Sequence, residues 1–317
     1  MTRERSANRL YRLHLGLGGV GVALVAGTIA FVAAGVDFGL PSPASVAAAC
    51  DRWLSAGGPG AVLALAVAAA ALASLGLGLR SARRQLAASR RHMEALPISD
   101  QVIAVEGASC RLIETPAPQA FCAGYLRPQV YLSRGATEEL SREELRAVVS
   151  HELHHVRRRD PLRLLLARSL ADGLFFIPLL RRSSERYAAL GELAADEAAV
   201  RRLGRRGPLA SALLRFSGPD AQPAPVVGVA PERVDHLLGD PEVGRWRLPA
   251  SLAGRSAVTL VGLAALLAAL AHGLFVANLD LPILLAAGCM AAMIGGPIAL
   301  AVGAVVVSRR ALRARRA

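Results

Sequence analysis

The sequence predicts a mainly α, polytopic membrane protein, with about four transmembrane helices in two pairs and one cytoplasmic α+β domain between them. Three observations predict it. Hydrophobic residues make up 53% of the 317 positions and aromatic residues only 4%, a balance too apolar for an ordinary soluble domain. The apolar residues fall into long runs near the two ends, whereas polar character rises from about Ser81 to Arg255. The chain has no Lys, so its 37 basic residues are all Arg, and they gather beside the apolar runs. Arg3, Arg5, Arg9 and Arg12 precede the first run, Arg80, Arg83, Arg84, Arg90 and Arg91 follow the second, and Arg309, Arg310, Arg313, Arg315 and Arg316 close the chain. Such clusters set topology and meet anionic lipid headgroups. The net charge of +13 therefore speaks for a lipid bilayer as partner. Direct nucleic-acid binding is not expected, because no recognition motif or aromatic interleaving accompanies the charge. The expected division is 1–80 for the first pair of spans, 81–255 for the cytoplasmic domain, and 256–317 for the second pair and a basic tail.

From Leu13 to Val36 the only strongly polar residue is His14, and the run is long enough to cross a bilayer. Ala33, Ala34 and Gly35 leave a cleaved secretory signal as the alternative. The run exceeds a usual signal core and a second span follows, so an uncleaved anchor is expected. Gly16, Gly18, Gly19 and Gly21 have no strand before them and lie inside the span, which points to close helix packing rather than a dinucleotide loop. Asp37 to Gly60, rich in Pro and Gly, reads as an outside loop. Ala61 to Leu79 is the second span, and the Arg cluster after it places the following domain in the cytoplasm. Two further spans are expected at about Ala257 to Ala277 and Pro282 to Val307. Cys50, Cys110, Cys122 and Cys289 form no C-x-x-C pair, so isolated, reduced thiols are expected.

Within the domain, Val102 to Glu106 and Val130 to Leu132 read as short strands, punctuated by Pro116, Pro118 and Pro128. Phe121 to Tyr125 reads as an extended edge that either pairs with a substrate backbone or merely supports a neighbouring helix. Ser141 and Glu144 form a capping box, and Leu145, Val148, Val149 and Leu153 recur at helical spacing, so a helix is expected over about Arg142 to Arg159. Asp160 is expected to cap the next helix with Pro161 at its first position. Arg157, Arg158 and Arg159 suit the preceding helix C-terminus and are expected to face headgroups. Leu162 to Leu180 is long and apolar yet carries Arg163, Arg168 and Asp172. A single crossing here would export the Arg-rich segment that follows, so a buried or membrane-dipping helix returning to the cytoplasmic side is expected. Glu185 to Leu203 reads as a helix stopped at Gly204, and residues 205–250 as irregular structure around short helices.

The chemistry lies in His151-Glu152-Leu153-His154-His155, an H-E-x-x-H pattern. On a helix, His151 and His155 are one turn apart and point the same way, so two neutral imidazoles can hold a zinc ion while Glu152 acts on a metal-bound water. His154 lies off that face. A catalytic zinc site of this kind takes a third protein ligand, and Glu192, on a helix otherwise lined with Ala and Leu, is expected to supply it. Asp196, one turn further on, is expected to hold a ligand histidine from the second shell. An oxyanion stabiliser is needed, with Tyr187, His236 and Arg side chains unranked.

With these residues placed, the chain resembles the BlaR/MecR-type membrane zinc peptidases, relatives of the HtpX and CAAX-protease gluzincins. The resemblance runs from about Phe121 to Val200. It rests on Gly124 to Leu132, on His151 to Leu162 with its Arg158-Arg159-Asp160, and on Glu192-Leu193-Ala194-Ala195-Asp196. It implies a gluzincin-like zinc endopeptidase domain with His151, His155 and Glu192 as ligands of Zn²⁺, Glu152 as general base and acid, and Asp196 as an orienting residue. It further implies an active site on the cytoplasmic side of the cell membrane, acting on a protein substrate such as a transcriptional repressor. No penicillin-binding sensor is expected after the last span, so β-lactam sensing is not. Quality-control cleavage of membrane proteins, as in HtpX, and a non-catalytic zinc-binding scaffold are the competing readings.

Overall fold

The computed structural model describes residues 3–35, 42–45, 48, 59–216 and 249–272. The expected span at Pro282 to Val307, most of the Asp37 to Gly60 loop, residues 217–248 with His236, and Cys50 and Cys289 lie outside the described residues. The chain forms two compact units, Met1–Ala23 with Ala73–Leu260, and Leu24–Leu72 with Val261–Ala317. The elements are α1 (Arg3–Gly35), α2 (Pro59–Ala95), β1 (Ile98–Val105), β2 (Ala108–Ile113), β3 (Ala120–Ala123), β4 (Gln129–Ser133), α3 (Arg134–Glu139), α4 (Arg142–Arg158), α5 (Asp160–Gly173), α6 (Pro178–Leu203), α7 (Gly207–Phe216) and α8 (Ala250–Ala271). The structure is thus mostly helical with one small sheet. Among the described residues two helices are long and apolar enough to cross a membrane, at Arg3–Ala34 and Ala250–Ala269. The apolar run Ala61 to Leu79 is helical throughout, as the first half of α2.

The sheet has the order β1-β2-β4-β3. β1 and β2 form an antiparallel hairpin through Glu106 and Gly107, which both take positive φ, 54° and 77°. Two left-handed residues in a row match the twist of a two-residue hairpin. β2 pairs with β4 in parallel, Leu112 opposite Leu132, and β3 pairs antiparallel along the outside of β4, Phe121 opposite Tyr131. The alternation of β2 and β4 turns Cys110, Val130 and Leu132 inward, where they meet Leu145, Val149, Leu153 and Val156 of α4. The expectation of strands did not include β2, although Ala108, Cys110 and Leu112 alternate with Ser109 and Arg111 in the period of a half-buried strand.

Helix α4 begins with the expected capping box. The Ser141 hydroxyl accepts from the Glu144 N–H at 3.3 Å, and the Glu144 carboxylate accepts from the Ser141 N–H at 2.7 Å. α4 is buried on several sides: Val149 meets the sheet, Val148 meets Ala136, Leu140 and Ala212, and Ala147 meets Ala199, Leu209 and Leu213. Close packing all round leaves its histidine face fixed against α6.

Four expectations along the next stretch change. The apolar segment Leu162 to Leu180 is not one helix. α5 ends at Gly173 after 14 residues, roughly 21 Å at 1.5 Å per residue and too short for the hydrocarbon core. Residues 174–177 turn the chain, and Pro178 then stands in the first turn of a 26-residue α6 that starts earlier than Glu185. Proline lacks the N–H that a continuous helix would need at this position. Gly173, the last residue of α5, lets α2 approach closely: a Cβ there would lie 3.1 Å from Gly78 Cα. Nor is Asp160 the N-cap. Arg159 holds that position in a left-handed conformation, φ 53°, with no side-chain cap, and Asp160 lies inside the first turn with its carboxylate directed elsewhere. Arg158, expected at headgroups, is buried.

The N-terminal part of α1 packs into the same unit, with Ala7, Leu10 and Tyr11 against Ala167, Tyr187 and Leu190. Polar residues in the apolar helices mark the joints. His14 Nδ1 lies 2.7 Å from the Ser183 hydroxyl, and the Ser74 hydroxyl of α2 donates to the Gly173 carbonyl at 2.5 Å. The Leu179 N–H donates to Ser256 of α8 at 3.2 Å. Gly18 and Gly21 of α1 let Leu170, Leu174 and Ile177 close in, since a Cβ at Gly21 would stand 2.7 Å from Leu174. Close packing thus holds at Gly18 and Gly21, whereas a Cβ at Gly16 or Gly19 would meet nothing within 4 Å.

Candidate metal centre

The helix geometry of α4 brings His151 and His155 onto one face, with their Nε2 atoms 3.2 Å apart. α6 crosses that face and sets Glu192 between them. Its carboxylate oxygens lie 3.5 Å from His151 Nε2 and 3.5 Å from His155 Nε2. One ligand atom from each of the three side chains falls within 4.8 Å of the others. Zn–N and Zn–O bonds of about 2.0–2.2 Å at tetrahedral angles separate ligand atoms by roughly 3.3 Å, so this donor set fits a zinc ion in both size and chemistry.

The other ring nitrogens face carboxylates. His151 Nδ1 lies 2.9 Å from Asp196 Oδ1 and His155 Nδ1 lies 2.8 Å from Asp160 Oδ2. An ionised carboxylate only accepts, so it favours the tautomer with the proton on Nδ1 and the Nε2 lone pair turned inward. Asp196 is fully buried. Burial works against the Asp160 carboxylate, but the His155 hydrogen bond, Arg158 and Tyr187 outweigh it and hold its pKa below the ordinary value. His155 is pushed the other way: burial disfavours its cation, yet Asp160, Glu192 and Glu152 together raise its pKa. His154, off this face, is driven down to about 4 by burial first and then by the charges of Arg158 and His155. It is a neutral imidazole packed at the edge of the group.

Asp160 is the residue that the sequence reading placed in the wrong role. Its Oδ1 accepts from the Tyr187 hydroxyl at 2.8 Å, and the Arg158 Nε stands 3.4 Å from it. Arg158 in turn approaches Glu4 of α1 at 3.5 Å, and the Tyr187 ring packs on Tyr11 with centroids 4.9 Å apart. Tyr187, considered for the oxyanion, therefore spends its hydroxyl on Asp160. Only the order Arg158-Arg159-Asp160 right after the motif could have signalled this layer.

Glu152 is buried and, with His155 and Glu192, borders a cavity of about 210 Å³. Phe121 and Cys122 of the edge strand β3 form one wall, and Gln85, Ser89 and His92 at the far end of α2 form another. No local sequence signal announces that α2 reaches the site. The Tyr125 hydroxyl donates to the Gln85 carbonyl at 3.4 Å and ties the β3–β4 loop to α2. Gly124, at φ 104°, starts that loop; a Cβ there would lie 2.8 Å from the Arg127 carbonyl oxygen. Cys110 and Cys122 are free thiols, both with pKa raised by burial, Cys110 to about 11. They are poor ligands and poor nucleophiles at neutral pH.

Comparison with known proteins converges on the same region. The family model described as BlaR1 peptidase M56 matches residues 60–233. A protease HtpX homolog 2 from Methanosarcina mazei is 29% identical over 144 residues, an alignment that covers 34% of this chain and 48% of that protein. The chain thus spans about half the length of this curated relative. No solved structure matches it.

Proposed function

Because the chain belongs to the BlaR1 peptidase M56 family of membrane metallopeptidases, we propose that it is a zinc-dependent endopeptidase with His151, His155 and Glu192 as metal ligands and Glu152 as general base and acid. The observation that carries this reading is the meeting of two Nε2 atoms and one carboxylate at 3.2–3.5 Å beside a buried Glu152. When bound, zinc supplies a Lewis acid for the scissile carbonyl and lowers the pKa of a coordinated water. Glu152 removes a proton from the attacking water and returns it to the leaving amine. Asp196 and Asp160 keep the two imidazoles in their ligating tautomer. β3, at the outside of the sheet and along the cavity, offers unpaired backbone groups to an extended substrate segment.

The chain is read as a multi-pass protein of the cell membrane with the catalytic unit on the cytoplasmic side. The apolar lengths of α1 and α8 support this, as do the Arg clusters before α1 and after the apolar half of α2. Its substrate is a cytoplasmic or membrane-proximal protein, in the first reading a transcriptional repressor. Similarity to a protease HtpX homolog favours a second, broader cleavage of membrane proteins.

Mapping new protein N-termini in cells that carry the wild type or Glu152→Gln tests both. One or a few Glu152-dependent cuts in a cytoplasmic regulator support the first reading, and many scattered cuts in membrane proteins support the second. No difference between the two strains, with zinc bound in both, would leave a non-catalytic zinc scaffold. Glu192→Ala is expected to lose most of its zinc on metal analysis, and full occupancy would reject Glu192 as a ligand.

A further inference from the structure

We propose that a second cavity, between α2, α5 and α6, binds the phosphate of an anionic phospholipid headgroup. The cavity holds about 700 Å³. Arg80 and Arg84 of α2, Arg168 of α5 and Arg181 of α6 line it, against two carboxylates, Asp172 and Glu185. Both carboxylates are already engaged: Asp172 accepts from the Ser81 hydroxyl at 2.5 Å, and Glu185 is paired at 3.4 Å with Arg181 and with Arg182. Among the described residues, Arg80, Arg84 and Arg168 take part in no hydrogen bond or ion pair. Three unengaged guanidiniums around one concave space form a receptor for a phosphate, whose oxygens they can bond in pairs.

The apolar surroundings select a lipid over a soluble phosphate or an acidic peptide. Arg80 is the first charged residue after the run Ala61 to Leu79. Leu77, 42% exposed, lines the cavity beside it, one turn before Ser81. A basic pocket with an exposed leucine in its wall, at the charged end of an apolar run, suits a ligand with a phosphate head and an acyl tail at headgroup depth. This placement rests on the membrane reading above. The pocket also has a route to the catalytic cavity, because Gln85 and Arg168 line both. Gln85 donates at 3.3 Å to the hydroxyls of Ser81 and Ser169, which ties α2 to α5 at the shared wall. An occupant that draws in Arg168 fixes that wall.

The test is native mass spectrometry of the full chain taken from nanodiscs of phosphatidylcholine with phosphatidylglycerol. Phosphatidylglycerol is expected to remain bound to the wild type in preference to phosphatidylcholine. Arg80→Gln with Arg84→Gln is expected to weaken that binding on the order of thirtyfold. Arg90→Gln with Arg91→Gln, further along the same helix and outside the cavity, should leave it unchanged. Circular dichroism checks that both pairs fold. Equal retention of the two lipids, equal loss in the two variant pairs, or displacement of the lipid by millimolar inorganic phosphate or by an Asp/Glu-rich peptide would overturn the proposal. A wild type that cleaves protein in a Glu152-dependent way without retaining phosphatidylglycerol would overturn it while the peptidase reading stands.

Discussion

Asp160 joins the histidine face of α4 to the rest of the molecule through both of its oxygens, one on His155 at 2.8 Å and one on Tyr187 at 2.8 Å. Asp160→Asn keeps the shape and removes the charge that favours the ligating tautomer. The expected outcome is a 10- to 100-fold loss of zinc affinity, by competition with a chelator, with unchanged helix content. Unchanged affinity would show that the imidazole orients itself without this partner. Tyr187→Phe deletes one hydrogen bond to the same carboxylate and is expected to cost about 0.5–1.5 kcal/mol of stability in thermal unfolding. At this scale the sequence was informative where spacing alone decides: His151 and His155 share a helical face whatever surrounds them. It misled at Asp160, because an Asp before a Pro has the local signature of a helix cap. The left-handed Arg159 moves that carboxylate into the first turn, within reach of His155.

Helix α4 carries its own start signal, and its boundaries were legible to within a residue because Ser141 and Glu144 satisfy each other's backbone N–H groups locally. The hydrogen bond from Ser211 of α7, then the capping bonds and Arg215, pull Glu144 down to about 2. A folded-state pKa below the ordinary value of 4.5 means that the ionised form stabilises the fold at neutral pH and that this contribution fades as pH falls from about 4.5 to about 2. Wild type should therefore be more stable than Glu144→Gln at pH 7, and the gap between their unfolding midpoints should close over that window; a gap that persists at pH 2 would assign the effect to packing. The neighbouring short helix α3 shows a constraint that no local signal announces. Gly135 lies where a Cβ would stand 1.8 Å from the Pro116 carbonyl oxygen. Gly135→Ala must push the β2–β3 connection away and is expected to destabilise by about 3 kcal/mol in denaturant unfolding. A near-neutral Ala there would mean that this connection gives way freely.

Within the unit that holds the candidate metal centre, three helices of the apolar segments are bound to it by small and polar residues: Gly18, Gly21 and His14 from α1, Ser74 and Gly78 from α2, and Ser256 from α8. The first turns of α1 go further, because Tyr11 packs on the same Tyr187 that holds Asp160. Tyr11→Ala removes that brace and is expected to cost about 2–4 kcal/mol of stability, with weaker zinc retention at a given temperature. Zinc retention equal to wild type would separate α1 from the site. The sequence by itself determined the apolar runs, the charge bias, the motif helix and the carboxylates Glu192 and Asp196, because hydropathy, helical period and capping are properties of neighbours along the chain. Only the tertiary structure decided where α5 stops and that the end of α2 walls the cavity beside Glu152. Those depend on contacts between residues many tens of positions apart, such as Gly78 with Gly173 and Gln85 with Tyr125. The H-E-x-x-H face was written in one turn of helix, and α6 had to fold across it before Glu192 could complete the set.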